Sequence, residues 1–261
     1  DTCAMRVTVE GGRVVRIQGD PEHETTQGAL CTKVSRYAER IYHDERVTFP
    51  LKRVGAKGKG EFVRVSWGEA LNDIAQRLKA MAARDAQAVL PYSYAGTMGL
   101  VQGEGMAQRF FHKLGASLLD RTICSAAGGE ALAATYGGKV GMHTLDYAAS
   151  DVIVIWGSNS IASNLHFWTI AQDAKRRGAT LLCIDPRRTE TAEKCRRHVA
   201  LLPGTDGALA LGLMREWIVG DRIDHDYIAR NVDGFDRLQK RIAEWPPERA
   251  AAVCGITADE V

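Results

Sequence analysis

The 261-residue sequence is poor in cysteine and proline, with six and seven of each, and it has no long apolar run. Each scarcity excludes something. Six dispersed cysteines (Cys3, Cys31, Cys124, Cys183, Cys195 and Cys254) cannot form the dense disulfide framework of a small secreted scaffold. The longest apolar stretches, Val152–Trp156 and Ala208–Met214, fall far short of the roughly 20 residues a helix needs to cross a bilayer. Charge of one sign is lacking too. With 34 basic and 32 acidic side chains the net charge is +2, which gives no electrostatic ground for a nucleic-acid or membrane-surface partner. The cysteine usage makes a reducing, cytoplasmic compartment the default, with the periplasm left open because the chain opens on Asp1-Thr2-Cys3 and no leader is legible.

What is present is ordinary globular material, 45% hydrophobic and 25% charged, enough for one large domain or two smaller ones. Met5–Val9 and Val14–Gln18 alternate around Gly11-Gly12, the pattern of a β-hairpin. Residues 34–43 read as a short helix, and Phe62–Val65 as a strand behind the Gly55–Gly60 turn. That Lys/Gly turn reads as a solvated basic loop in preference to a phosphate cradle. Ser66-Trp-Gly-Glu69 is a capping box that opens an amphipathic helix to about Ala83. A strand at 88–93, the Gly96-Thr-Met-Gly99 turn, a helix near 101–114 and an Ala/Gly-rich helix over Ser125–Tyr136 follow.

Two β-then-α units come next. Asp151–Trp156 reads as a fully buried strand and Thr180–Ile184 as its neighbour, with Cys183 a core residue and Cys254 another. A short strand at His198–Leu201, a helix to about Val219 and helical segments near 224–230 and 234–243 complete the alternation. Apolar strands alternating with helices imply an α/β fold with a mostly parallel sheet covered on both faces. Thr257-Ala-Asp-Glu260 is a second capping box whose helix has no room before Val261, so the chain is expected to be part of a longer polypeptide.

Ligands of open parallel sheets bind where strand carboxyl ends meet helix starts. Three successive polar turns occupy such places here: Gly157-Ser158-Asn159, Asp185-Pro-Arg187-Arg188-Thr189, and Gly204-Thr205-Asp206. Asp185 is placed to accept from a ribose hydroxyl, and Arg187 and Arg188 suit a pyrophosphate. The Asp206 carboxylate matches a base edge carrying adjacent N–H donors, as guanine does. Any one turn is more often an ordinary helix cap; three in succession favour a nucleotide. The Gly-x-Gly-x-x-Gly fingerprint is absent after residue 156, which disfavours a simple NAD-dependent dehydrogenase. Cys3 and Cys31 flank the hairpin, where zinc and iron are equally good guesses from spacing alone.

Together these residues resemble the molybdopterin oxidoreductases of the dimethyl sulfoxide reductase type. That group includes formate dehydrogenases, periplasmic nitrate reductases, and thiosulfate and polysulfide reductases. Asp1-Thr2-Cys3 looks like the third cysteine of the family's cluster motif, and Gly28-Ala-Leu-Cys31-Thr-Lys33 like the fourth. The resemblance implies a 4Fe-4S cluster for which Cys3 and Cys31 are two of four ligands, with Lys33 between cluster and pterin in the path of electrons. Arg121–Gly129 looks like the loop whose side chain reaches molybdenum or tungsten. Cys124 is the implied catalytic metal ligand, with Ser125 the alternative. Trp156-Gly157-Ser158-Asn159, Asp185-Pro-Arg187 with Thr189 and Thr191, and Pro203-Gly204-Thr205-Asp206 look like the segments that bind molybdopterin guanine dinucleotide. Cys195 matches no ligand motif, and His143, His166 and His198 read as structural or supporting groups, His166 being the one to watch.

The implied organisation has three parts: an incomplete iron–sulfur piece at 1–50, an α/β piece with the metal-ligand loop at 51–145, and a truncated Rossmann-like nucleotide-binding piece at 146–261. The implied activity is two-electron oxidation, reduction or oxygen-atom transfer on a small molecule at a bis-molybdopterin guanine dinucleotide centre. Electrons pass through the cluster to a partner protein or subunit, without nucleic acid or direct membrane insertion. These residues alone are expected to be inactive. Two alternatives stay open: a non-catalytic electron-transfer or scaffold subunit of the same fold, as in the respiratory NADH dehydrogenase large subunit, and a nucleotide-binding module of another dehydrogenase.

Overall fold

Alternation of side chains about a two-glycine turn produces the antiparallel hairpin β1 (Met5–Glu10) and β2 (Arg13–Gly19), paired from Met5↔Gly19 to Glu10↔Arg13 with a register shift at Thr8/Val9. In the computed structural model, residues 3–94 and 105–261 are described. The Gly96–Gly99 turn and the start of the helix expected near 101 lie outside them. The chain divides into two compact units, Asp1–Ala38 with Met142–Val261, and Glu39–Gly141.

After the hairpin, Cys31 caps the short helix α1 (Thr32–Ser35), and α2 (Tyr37–Ile41) follows. The single helix expected over 34–43 is thus two, broken at Arg36, whose φ of −103° and ψ of 14° leave the helical region.

The unit Glu39–Gly141 begins with a second hairpin, β3 (Leu51–Arg53) and β4 (Phe62–Arg64), so the Lys/Gly turn is its connecting loop. Ser66 accepts from the Glu69 N–H and starts α3 (Trp67–Asp85). The strand expected at 88–93 does not form. The Ser117 N–H donates instead to its Val89 carbonyl at 3.0 Å, and the Ser117 hydroxyl donates to the carbonyl of the preceding Gln87 at 2.5 Å. Then come α4 (Met106–Leu114) and α5 (Ala126–Tyr136), the latter preceded by Cys124 and Ser125.

The other unit resumes with β5 (Val152–Trp156), the helices α6 (Ser160–Ser163) and α7 (Leu165–Arg176), β6 (Thr180–Ile184), α8 (Glu190–Lys194) and β7 (Arg197–Val199). The three strands form a parallel sheet in the order β5-β6-β7, registered from Val152↔Thr180 and from Leu182↔Arg197. Helices α9 (Asp206–Val219), α10 (His225–Asn231), α11 (Phe235–Ile242) and α12 (Pro247–Cys254) follow, and the Thr257 capping box closes a 3₁₀ turn at Ala258–Glu260. This is the α/β fold with a parallel sheet that the sequence implied.

Two apolar clusters hold the sheet. Ile153, Ile155 and Leu181 meet Ala171 and Ala174 of α7. Ile184, Val199 and Leu201 meet Ala208, Leu209 and Cys254 on the other side. Each fully buried large aliphatic side chain there contributes about 1.5–3 kcal/mol. Coverage is less complete than expected. β5 is an edge strand that buries Ile153 and Ile155 but leaves Val152 55% and Val154 48% exposed. Its outward row lies beside an apolar recess of about 370 Å³ lined by Leu182, Ile184, Leu213 and Trp217, so the strand is one-sided among the described residues. No described helix is long and apolar enough to cross a membrane.

Candidate cofactor site

The three polar turns sit at the carboxyl ends of β5 and β6 and just beyond β7, and hydrogen bonds join them into one rim. The first begins at Gly157, whose φ of 63° requires the left-handed region, and whose N–H donates to the Ile184 carbonyl at 2.8 Å. Asn159 links the first turn to the second. Its amide donates to the Glu190 carboxylate at 2.9 Å, and its carbonyl accepts from the Thr191 hydroxyl at 2.9 Å. The Thr191 hydroxyl in turn accepts from the Ile161 N–H at 3.1 Å. Ser158 and Ser160 hydroxyls are 3.2 Å apart beneath the turn.

In the second turn the buried Asp185 carboxylate accepts from the Arg187 N–H at 2.8 Å, while its backbone carbonyl lies 2.8 Å from His198 Nε2. Thr189 is buried and its hydroxyl accepts from the Ala192 N–H, so this side chain caps α8. Arg187 and Arg188 extend into solvent. In the third turn Gly204 has φ of 82° and the Thr205 hydroxyl donates to the Leu202 carbonyl. Asp206 accepts from the Trp156 indole N–H at 2.7 Å, which ties the third turn to the first. The helices after the first two turns are only four and five residues long, so side chains and loop N–H groups outweigh helix dipoles there.

Glu190 was missed as part of this rim; Trp156, read as part of the first segment, and His198, read as a supporting group, take up the contacts with Asp206 and Asp185. Glu190 has no motif of its own; only its contact with Asn159, 31 residues away in sequence, reveals it. Its carboxyl is held below the usual range by its own backbone N–H first and by the Asn159 amide next.

Cys3 and Cys31, both half-buried free thiols, belong to the same unit. The Val34 backbone N–H beside Cys31, helped by that of Lys33, holds this thiol below its ordinary value, as suits a thiolate ligand. Lys33 itself is exposed on α1. Cys3 Sγ lies 3.2 Å from Nε2 of His166, a buried residue of α7 whose Nδ1 has no hydrogen-bond partner among the described residues. Among the described residues, no group of three or more His, Cys, Asp or Glu side chains could hold a metal ion. Cys124 is an exposed thiol in the other unit, in the loop before α5 where the Tyr94 hydroxyl accepts from the Ile123 N–H. The buried Cys183 thiol is pushed up to about 11 by burial and contacts Cys195, so neither resembles a ligand.

Comparison with known proteins bears on this arrangement. The molybdopterin oxidoreductase profile matches residues 46–219, and the profile of that family's Fe4S4 domain matches residues 1–43. The chain therefore belongs to the molybdopterin oxidoreductase family. It is 36% identical over its whole length to a Bacillus subtilis protein named "Probable oxidoreductase YoaE", covering 38% of that protein. It is 26% identical over 97% of its length to the F420-dependent formate dehydrogenase alpha subunit of Methanocaldococcus jannaschii, covering 37% of it. The structure of acetylene hydratase from Pelobacter acetylenicus superposes with a TM-score of 0.78 at 28% identity, over 99% of this chain and 36% of the other. The chain thus spans little more than a third of the length of these relatives.

Proposed function

We propose that these residues form the cluster-side and first nucleotide-binding part of a bis-molybdopterin guanine dinucleotide oxidoreductase. The observation that carries this is the hydrogen-bonded rim of three turns at the sheet's carboxyl edge. Gly157 and Gly204 leave the space a Cβ would occupy free of neighbours, which gives a phosphate-bearing ligand close access to the backbone. Asp185 supplies a buried carboxylate for a ribose hydroxyl, and the exposed Arg187 and Arg188 supply donors for pyrophosphate oxygens. Asp206, already oriented by Trp156, presents its remaining acceptor capacity to a guanine edge.

The donor set also fits the iron–sulfur group in kind. Cys3 and Cys31 are free thiols in one unit, and Cys31 is biased toward thiolate; they supply two of the four ligands such a cluster takes. Lys33, adjacent to Cys31, is the candidate residue on the electron path. Cys124 is the candidate metal ligand, its exposed sulfur suiting a soft high-valent centre. The metal–pterin group supplies the two-electron chemistry, and the protein's residues bind, orient and insulate it. On this reading 1–50, 51–145 and 146–261 are the cluster, metal-loop and nucleotide segments, and electrons leave through a partner protein. Relatives named as dehydrogenases, reductases and a hydratase match most of this chain, so the shared scaffold alone does not set the substrate.

The test uses the complete gene product. Cys124→Ala is expected to abolish turnover with viologen dyes by about a thousandfold or more while guanine nucleotide content stays at the wild-type level. Asp206→Ala is expected to lower the nucleotide content itself. Wild-type turnover in Cys124→Ala contradicts the assignment of that ligand, and full nucleotide content in Asp206→Ala contradicts that of the guanine contact.

A further inference from the structure

Cys183 and Cys195 are free thiols in contact with each other, and neither takes part in the hydrogen bonds of the rim. They stand at opposite ends of the second turn. Cys183 lies in β6, just before Asp185, and is fully buried. Cys195 ends α8, half-buried and packed against the apolar group of Ile153, Ile155 and Leu181. Backbone hydrogen bonds hold the two segments side by side. The Cys195 N–H donates to the Ala192 carbonyl at 3.2 Å, and the Arg196 N–H donates to the Leu181 carbonyl of β6 at 2.8 Å.

The two sulfurs are not equivalent. Their contact raises the Cys183 thiol and lowers that of Cys195, so Cys183 is the S–H donor and Cys195 the acceptor. Burial acts first on Cys195 and raises it. Against burial stand the Cys183 S–H and the Lys175 ammonium, whose Nζ donates to the neighbouring Lys194 carbonyl at 2.7 Å. Both favour an anionic sulfur at the thiol that solvent reaches. Burial alone makes Cys183 an ordinary core residue. A second, partly accessible thiol set against it adds chemistry.

We propose that Cys195 is a site of oxidation by hydrogen peroxide and that Cys183 resolves it into a reversible disulfide. In the first step the Cys195 thiolate attacks a peroxide oxygen. An S–O bond forms, the O–O bond breaks, and the departing hydroxide takes up the proton that Cys195 released, giving water. In the second step the Cys183 sulfur attacks the sulfur of the sulfenic acid. The S–S bond forms, the S–O bond breaks, and hydroxide leaves with the Cys183 proton as a second water. The thiol pair loses two electrons and the peroxide gains them. The disulfide closes residues 184–194 into a ring fixed to the sheet at one end and to α8 at the other. That segment carries Asp185, Arg187, Thr189, Glu190 and Thr191, so oxidation restrains local opening of the second turn.

The experiment uses the complete gene product, treated with a small molar excess of hydrogen peroxide and mapped by peptide mass spectrometry without reduction. The expected product is a linked peptide pair containing Cys183 and Cys195, lighter by two hydrogens and separated again by dithiothreitol. Dimedone, which traps sulfenic acids, is expected to label Cys195 at least about tenfold more in Cys183→Ala than in wild type, because the resolving thiol is gone. Hydrogen exchange within 184–194 is expected to slow on oxidation and to recover on reduction. Cys195 carried to sulfinic acid while Cys183 stays reduced overturns the inference, as does survival of both thiols under peroxide. Equal exchange in the linked and reduced proteins overturns the restraint on the turn. Should Cys183→Ala not fold, the wild-type linkage decides alone. These readouts do not depend on cluster, metal or nucleotide content, so their failure is distinct from failure of the proposed function.

Discussion

Cys183 and Cys31 carry the same thiol and are held in opposite states. Cys183 is wholly buried in β6, and that burial pushes its thiol up to about 11. Cys31 is half-buried and lowered by the Val34 and Lys33 N–H groups. In cluster-free protein at pH 8, iodoacetamide is expected to alkylate Cys31 at least about tenfold faster than Cys183, read by peptide mass mapping. Equal labelling contradicts the assignment. Glu190 gives a second expectation. Its folded-state value is depressed below 4.5, so its contribution to stability is fully present above the unfolded value and is lost as pH falls through the folded one. Acid unfolding followed by circular dichroism is expected to be less steep below about pH 4.5 in Glu190→Gln than in wild type. An unchanged profile contradicts it. At this scale the sequence discloses residues whose chemistry is local. Asn159, Asp185 and Asp206 stand in turns that announce themselves by glycine and proline. Glu190 and the His166 contact with Cys3 are decided by partners 31 and 163 residues away, and no local pattern carries that.

Among the elements, those with a strong periodic or capping signal form where expected: the β1–β2 hairpin, α3 behind Ser66, the strands β5 and β6, and α9 behind the Gly204 turn. The failures share a cause. Residues 88–93 have the composition of a strand but pair with no strand among the described residues, and the Val89 carbonyl is taken by the Ser117 N–H. β3 is three residues long and is defined only by its pairing with β4. α12 is short and alanine-rich, and is held by packing on α9. That packing is close: a Cβ on Gly212 would stand 2.7 Å from Ala250 Cβ and 2.9 Å from Val261 Cγ1. Gly212→Ala is therefore expected to destabilise by about 1–3 kcal/mol despite alanine's better helix propensity. Gly207→Ala, in the same helix with open space around it, is expected to be neutral or stabilising by less than about 1 kcal/mol. Thermal melts of both variants check the pair, and equal melting temperatures contradict the account.

For the whole molecule, the hairpin segment packs into the same compact unit as the parallel sheet, and residues 39–141 form the other. Cys3, Cys31 and the rim of three turns thus share one unit, while Cys124 belongs to the second. The exposed row of β5, with the adjoining recess, is consistent with a chain that spans little more than a third of its relatives. These 261 residues by themselves are expected to show no turnover with formate, nitrate or sulfoxides, and measurable turnover contradicts that. The central claim is that the complete polypeptide houses a cluster and a molybdopterin guanine dinucleotide on this scaffold. Its most direct test is one composition analysis of the purified complete gene product, with iron, molybdenum or tungsten, and acid-released guanine nucleotide measured in the same sample. The account predicts all three in fixed proportion to protein; iron or nicotinamide nucleotide without guanine nucleotide and without either heavier metal contradicts it.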